Sequence, residues 1–172
     1  RSDSSAASDV YKRQVPYLMN YEGWAIFMDC DMLCKTDINE LWKQRNDDFS
    51  ILCRKHEHIP NEKKKFQGEV QSQYPKKNWS SLMLMDCSKC KKLTLDYVNS
   101  ATGLDLHRFH WLNNDSEIGS ISHGWNHLVD VNEYDFNYES NPDLLHWTLG
   151  GPWFKDQRLS LIHISEPTRL HV

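Results

Sequence analysis

Trp24-Ala25-Ile26-Phe27-Met28-Asp29-Cys30-Asp31-Met32-Leu33 is the stretch on which the fold turns. Its apolar run, Ala25 to Met28, reads as a buried strand and ends in two aspartates separated by one residue. In an extended chain, side chains at i and i+2 point the same way. Asp29 and Asp31 can therefore present both carboxylates on one side of a strand end. Buried so close without a counter-ion, two carboxylates repel and one pKa rises. A hard divalent cation suits such a pair, because it takes oxygen ligands. A lone Asp-x-Asp is more often a solvated turn or a helix cap. The apolar strand in front of this one turns the reading toward a site.

The second distinctive stretch is His146-Trp147-Thr148-Leu149-Gly150-Gly151-Pro152-Trp153. A histidine at a strand end offers an imidazole to a metal, and two glycines let backbone N–H groups approach an anion closely. On its own His146 reads as an ordinary core or surface histidine. With Asp29 and Asp31 it makes a carboxylate–imidazole set that would accept manganese or magnesium bound to phosphate oxygens.

Between these stretches, strand and helix signals alternate. Asp37 followed by Glu40 resembles a capping box, with Ile38, Leu41 and Trp42 as the apolar face of a helix. Phe49 to Cys53 and Ser81 to Met85 read as strands, with a long polar loop, His56 to Lys77, between them. Leu93 to Ala101 reads as a helix stopped by Gly103, and Leu104 to Leu112 as a further helical segment. Ile118 to Val131 reads as irregular with one edge strand, and Asp143 to Trp147 as a last short strand. Strands alternating with helices predict an α/β layer fold.

With Lys+Arg 20 against Asp+Glu 24, the net charge is −4, which gives no global field for nucleic acid. No apolar run approaches the length of a membrane span. The cysteines are Cys30, Cys34, Cys53, Cys87 and Cys90. An odd count without framework spacing predicts reduced thiols in a cytoplasmic protein. Cys87 and Cys90 form a C-x-x-C, but no second one accompanies it, and strand and helix-start packing is the expected role.

The two ends read differently from the middle. Residues 4–14 and 159–169 resemble translated sequencing-adapter sequence, so residues 1–14 and 159–172 are expected to be tails that make few contacts. The catalytic domain is then expected within 15–158, as a fragment lacking its N-terminal part.

Phe27 to Leu33 resembles the strand and D-x-D of glycosyltransferase family 8, the glycogenin and lipopolysaccharide-galactosyltransferase type. Four further segments follow in the family's order. Thr36 to Trp42 resembles the helix after the D-x-D, and Ser80 to Met85 the N-[AS]-G-V-[ML]-L strand. Trp125-Asn126 resembles the late W-N. His146 with Gly150, Pro152 and Trp153 resembles the H-x-x-G-x-x-K-P-W motif. The resemblance implies a nucleotide-diphospho-sugar transferase (GT-A-like) mixed sheet with flanking helices. It also implies a sugar-nucleotide donor, often a UDP-sugar, a hydroxyl acceptor, Mn2+ or Mg2+, and transfer with retention.

This sequence departs from the family at three places. Trp79 stands where the family has asparagine, or that asparagine is displaced to Asn78. Gly151 replaces the lysine before Pro-Trp, which leaves Lys155 as the nearby cation. The D-Q-D-like segment has no clean copy, and Asp105 in Gly103 to His107 is the nearest acidic residue in that interval. The expected site is thus Asp29, Asp31 and His146 on the metal, Gly150, Gly151 and Lys155 on the phosphates, and Asp105 near the donor sugar. The fragment alone is expected to be inactive. Two alternatives stay open: a haloacid-dehalogenase-type phosphatase, with Asp29 as nucleophile and Asp31 as acid/base, and a non-catalytic carbohydrate-binding module.

Overall fold

A computed structural model of the chain describes residues 12–56, 76–129 and 142–148. They form a mixed α/β structure with two small mixed sheets and few, short helices. The first sheet has the order β1 (Trp24–Met28), β4 (Leu82–Asp86), β3 (Ile51–Cys53), β5 (Ile118–Ser120). β4 runs antiparallel to both neighbours, whereas β3 and β5 are parallel. The second sheet has the order β2 (Met32–Cys34), β7 (Leu144–His146), β6 (His127–Leu128), with β2 antiparallel and β6 parallel to β7.

The unbroken apolar run Leu82-Met83-Leu84-Met85 is explained by its central place. A strand covered on both faces needs no polar alternation, and every residue of β4 is buried. Met83 and Met85 pack with Ile51 and Cys53 against Leu93, Val98, Leu106, Phe109 and Trp111. These come from the region of two helices, α3 (Leu95–Ser100) and α4 (Gly103–His107). On the opposite face Leu82 and Leu84 pack with Leu52 against Leu41, Trp125 and Leu144. Leu41 belongs to α2 (Ile38–Trp42) and Leu144 to the second sheet. The period-2 direction of a strand sorts its residues into the two cores. β1 carries the same alternation half-buried, because its only paired neighbour among the described residues is β4.

Helix ends follow local side chains. Asp37 caps α2 by accepting from the Asn39 N–H at 2.9 Å. The expected capping box is only half made, since Glu40 turns forward to Lys43 Nζ at 2.6 Å. Thr94 caps α3 and Thr102 caps α4. Gly103 is therefore the first residue of a helix and not the stop that the sequence suggested. The Thr102 hydroxyl, accepting from the Asp105 N–H at 3.1 Å, restarts the chain there. α1 (Val15–Leu18) leads into a turn in which Gly23 has φ +65°.

Lys12 and Arg13 fall within the expected adapter-like tail, yet they pack closely. Arg13 is fully buried, donates to the Leu106 carbonyl from Nε and Nη2 at 3.2 and 2.7 Å, and lies over the Phe109 ring. Residues 1–11 and 159–172 of the tails, and 57–75 of the long loop, lie outside the described residues. No helix among the described residues is long and apolar enough to cross a membrane.

Candidate metal centre

The two aspartates sit in the short turn that passes the chain from the first sheet to the second. Asp29 directly follows β1, and its N–H donates to the Ser81 carbonyl at the entry to β4. Asp31 directly precedes β2, and its carbonyl accepts from Trp147 N–H just past β7. Pairing of Met32 with His146 then sets the histidine beside the turn. Each of the three residues is held by backbone bonds on one sheet or the other, so the sequence-distant His146 arrives through strand register.

Asp29, Asp31 and His146 each offer a ligand atom, and these atoms lie within 4.8 Å of one another. His146 Nε2 is 3.4 Å from Asp31 Oδ1. That oxygen is buried and makes no hydrogen bond, so the 3.4 Å approach is a close contact of charge and not a bond. Two donors on one cation with bonds of about 2.0–2.3 Å stand at most about 4.6 Å apart, so the spread of this set is close to that limit. Two carboxylates and an imidazole are a donor set that suits manganese or magnesium. The residues present thus fit the implied metal.

The electrostatics point the same way. Burial pushes the Asp29 carboxyl up, and neighbouring Asp31 adds to this. The Lys12 ammonium, 2.9 Å away, and His146 offset only part of it. Burial pushes the His146 imidazole down, against the pull of Asp31 and Asp29. Both groups are drawn toward their neutral forms, because for each the cost of burying the charge outweighs its charged neighbours. Lys12 already places one cationic group on Asp29, which shows the sign of charge the turn attracts.

An open cavity of about 210 Å3 adjoins the cluster. Besides the three ligands it is lined by Lys12, Asn78, Ser80, Ser81, His107 and Thr148. Asp105 is not among them. Its carboxylate accepts from Thr102 Oγ1 at 2.5 Å and contacts His110 Nδ1 at 2.9 Å, and these partners hold its pKa below the ordinary value. α4 turns His107 to the cavity instead, within 3.3 Å of the Ser80 hydroxyl. Gly150, Gly151 and Lys155, with Pro152 and Trp153, lie outside the described residues.

Three residues here had no role assigned from sequence: His107 and Ser80 on the cavity wall, and Asn126, whose Oδ1 lies 2.8 Å from His146 Nδ1. The late Trp-Asn pair marked Asn126 without saying what it does. The thiols take no part among the described residues. Cys53 and Cys87 are buried, with burial pushing them up to about 12 and about 11, and Cys90 is raised further by burial and by Cys87. Cys30, between the aspartates, is exposed.

Fold and site together define a mixed α/β protein with a carboxylate–imidazole centre where two sheets meet. The chain is 46% identical over 142 residues to Protein CDI of Arabidopsis thaliana, an overlap of 81% of this chain and 54% of that protein. It thus spans about half the length of this curated relative. No family model and no solved structure matches it.

Proposed function

We propose that the chain carries the metal centre of a glycosyltransferase that moves a sugar from a nucleotide-diphosphate sugar to an acceptor hydroxyl. The observation that carries this reading is the convergence of Asp29, Asp31 and His146 beside a polar cavity. A bound Mn2+ or Mg2+ would supply positive charge to a leaving diphosphate. Asp29, Asp31 and His146 would hold it. Ser80, His107 and Asn78 present hydroxyl, imidazole and amide groups on the cavity wall, and such groups suit the hydroxyls of a sugar. At about 210 Å3 the cavity is smaller than a usual ligand site of about 300–1,000 Å3. It would take the sugar–phosphate end of the donor and not the whole nucleotide. The order of segments that resemble glycosyltransferase family 8 is in keeping with the same reading, and that resemblance implies a GT-A-like arrangement and retention.

The test is turnover by the product of the complete gene, with UDP-sugars and Mn2+. Metal-dependent release of UDP, lost on adding EDTA, is expected. Cleavage of simple phosphate esters with sugar nucleotides left intact would favour the phosphatase. Sugar binding without cleavage of either substrate would favour a binding module.

A further inference from the structure

We propose that Asn126 is a positioning residue that holds His146 as the Nδ1–H tautomer, with the bare Nε2 turned toward Asp29 and Asp31. The assignment of a role at a metal centre rests on the function proposed above; the tautomer itself does not.

A chain of hydrogen bonds orients the Asn126 side chain. Ser81 Oγ donates its proton to the Asn78 carbonyl at 2.6 Å. Its oxygen is left as an acceptor toward Asn126 Nδ2 at 2.9 Å. Asn126 Nδ2 also lies 3.2 Å from the Asn78 carbonyl, a group that can only accept. The amide end of Asn126 therefore faces Ser81 and Asn78, and its oxygen faces His146. Asn126 Oδ1 is 2.8 Å from His146 Nδ1, and the oxygen can only accept, so Nδ1 carries the proton. In the neutral ring Nε2 is then a lone pair, 3.4 Å from the carboxylate oxygen of Asp31.

Two acceptors facing each other in a buried place are unfavourable without a cation between them. Both tautomers face one acceptor with a lone pair, but the opposite one would do so at 2.8 Å from the buried Asn126 Oδ1, whereas the Nδ1–H form does so at 3.4 Å from Asp31, whose side chain is one-third exposed beside the cavity. Asn126 and His146 are 0% and 3% exposed, so water is not at hand to resolve that clash. Asn126 thus keeps the ring in the form that ligates metal. Its backbone, at φ +60°, suits asparagine or glycine better than most residues.

Long-range 1H–15N spectra of the metal-free protein at neutral pH read the tautomer, with the His146 ring assigned by its loss in His146→Gln. In the unmodified protein His146 is expected as Nδ1–H. Asn126→Gly removes the amide without backbone strain and is expected to shift the ring toward Nε2–H. An Nε2–H or doubly protonated ring in the unmodified protein overturns the proposal, whether or not the glycine variant folds. So does an unchanged tautomer in a folded Asn126→Gly. Calorimetry with Mn2+ on the same samples is expected to show affinity about 10–100-fold weaker in Asn126→Gly. If the unmodified protein binds no Mn2+ while the tautomers behave as described, the metal centre fails and the role of Asn126 in setting the tautomer stands.

Discussion

Asp31 holds a buried oxygen that bonds to nothing, beside a second carboxylate and an imidazole lone pair. A side chain placed so contributes little to folding, and its value lies in what it can bind. Asp31→Asn replaces the charge with an amide whose N–H can donate to His146 Nε2. The variant is expected to be at least as stable as the parent in urea while losing Mn2+ binding by calorimetry. A large drop in stability, or Mn2+ affinity that survives, would remove Asp31 from the centre. His56 behaves in the opposite sense. Burial, then the charges of Arg54, His146 and His127, push its imidazole down to about 3. The unfolded chain takes up a proton near pH 6.5, and the folded one resists it. The stability this group gives is present above pH 6.5 and is lost as the pH falls toward 3, by at most about 1.4 kcal/mol per pH unit. His56→Phe is expected to show a shallower loss of stability in urea titrations between pH 7 and 4. An acid limb as steep as the parent's would show that His56 is not protonated on unfolding.

At the scale of elements, the first sheet depends on one close approach. A Cβ on Gly119 would sit 2.6 Å from Phe49 Cδ2 and 2.7 Å from Leu52 Cδ2. Overpacking of this kind costs about 1–3 kcal/mol. Gly119→Ala is expected to lower the urea midpoint accordingly, and a midpoint unchanged from the parent would mean that the Phe49 ring can move aside. β4 was legible in the sequence because a central strand writes its burial as an unbroken apolar run. β5 and β6 are only three and two residues long. They left almost no periodicity, since their pairing depends on partners far along the chain. β2 was missed for a related reason: Met32-Leu33-Cys34 reads as the tail of the Asp-x-Asp turn. Its strand character comes from β7, more than a hundred residues later. The same dependence explains the site. Asp29 and Asp31 announce themselves by spacing, and His146 through the stretch that follows it. Asp105 does not line the cavity and His107 does, because the sequence cannot tell which face of a five-residue helix meets it.

At the scale of the whole molecule, the centre lies where the two sheets are joined. Asp29 follows the last residue of β1 in the four-stranded sheet, Asp31 leads into the three-stranded one, and His146 ends its central strand. The first sheet carries both large apolar clusters. Beyond Leu144 and Leu128, the second sheet adds a small cluster of Val129, Leu145 and Trp147. A sheet of strands only two or three residues long, with β2 half-exposed, is expected to open at lower free energy than the whole domain unfolds. Opening it would carry His146 away from Asp29 and dismantle the centre. A cation held by all three residues therefore binds only the closed arrangement. At free Mn2+ of about 100 times Kd, such binding adds about 2.7 kcal/mol, close to a 100-fold slowing of exchange through that opening. The amides to follow are Trp147, which donates to the Asp31 carbonyl, and Val129, which donates to the His146 carbonyl at 2.9 Å. Hydrogen exchange followed by mass spectrometry is expected to show Mn2+ protecting β2, β6 and β7 in the parent and not in Asp31→Asn. The β3–β4 pair, whose stability rests on its own core, is expected to change less. Protection confined to the first sheet, or equal protection in both proteins, would mean that the ion binds elsewhere and that the two sheets are joined by packing alone.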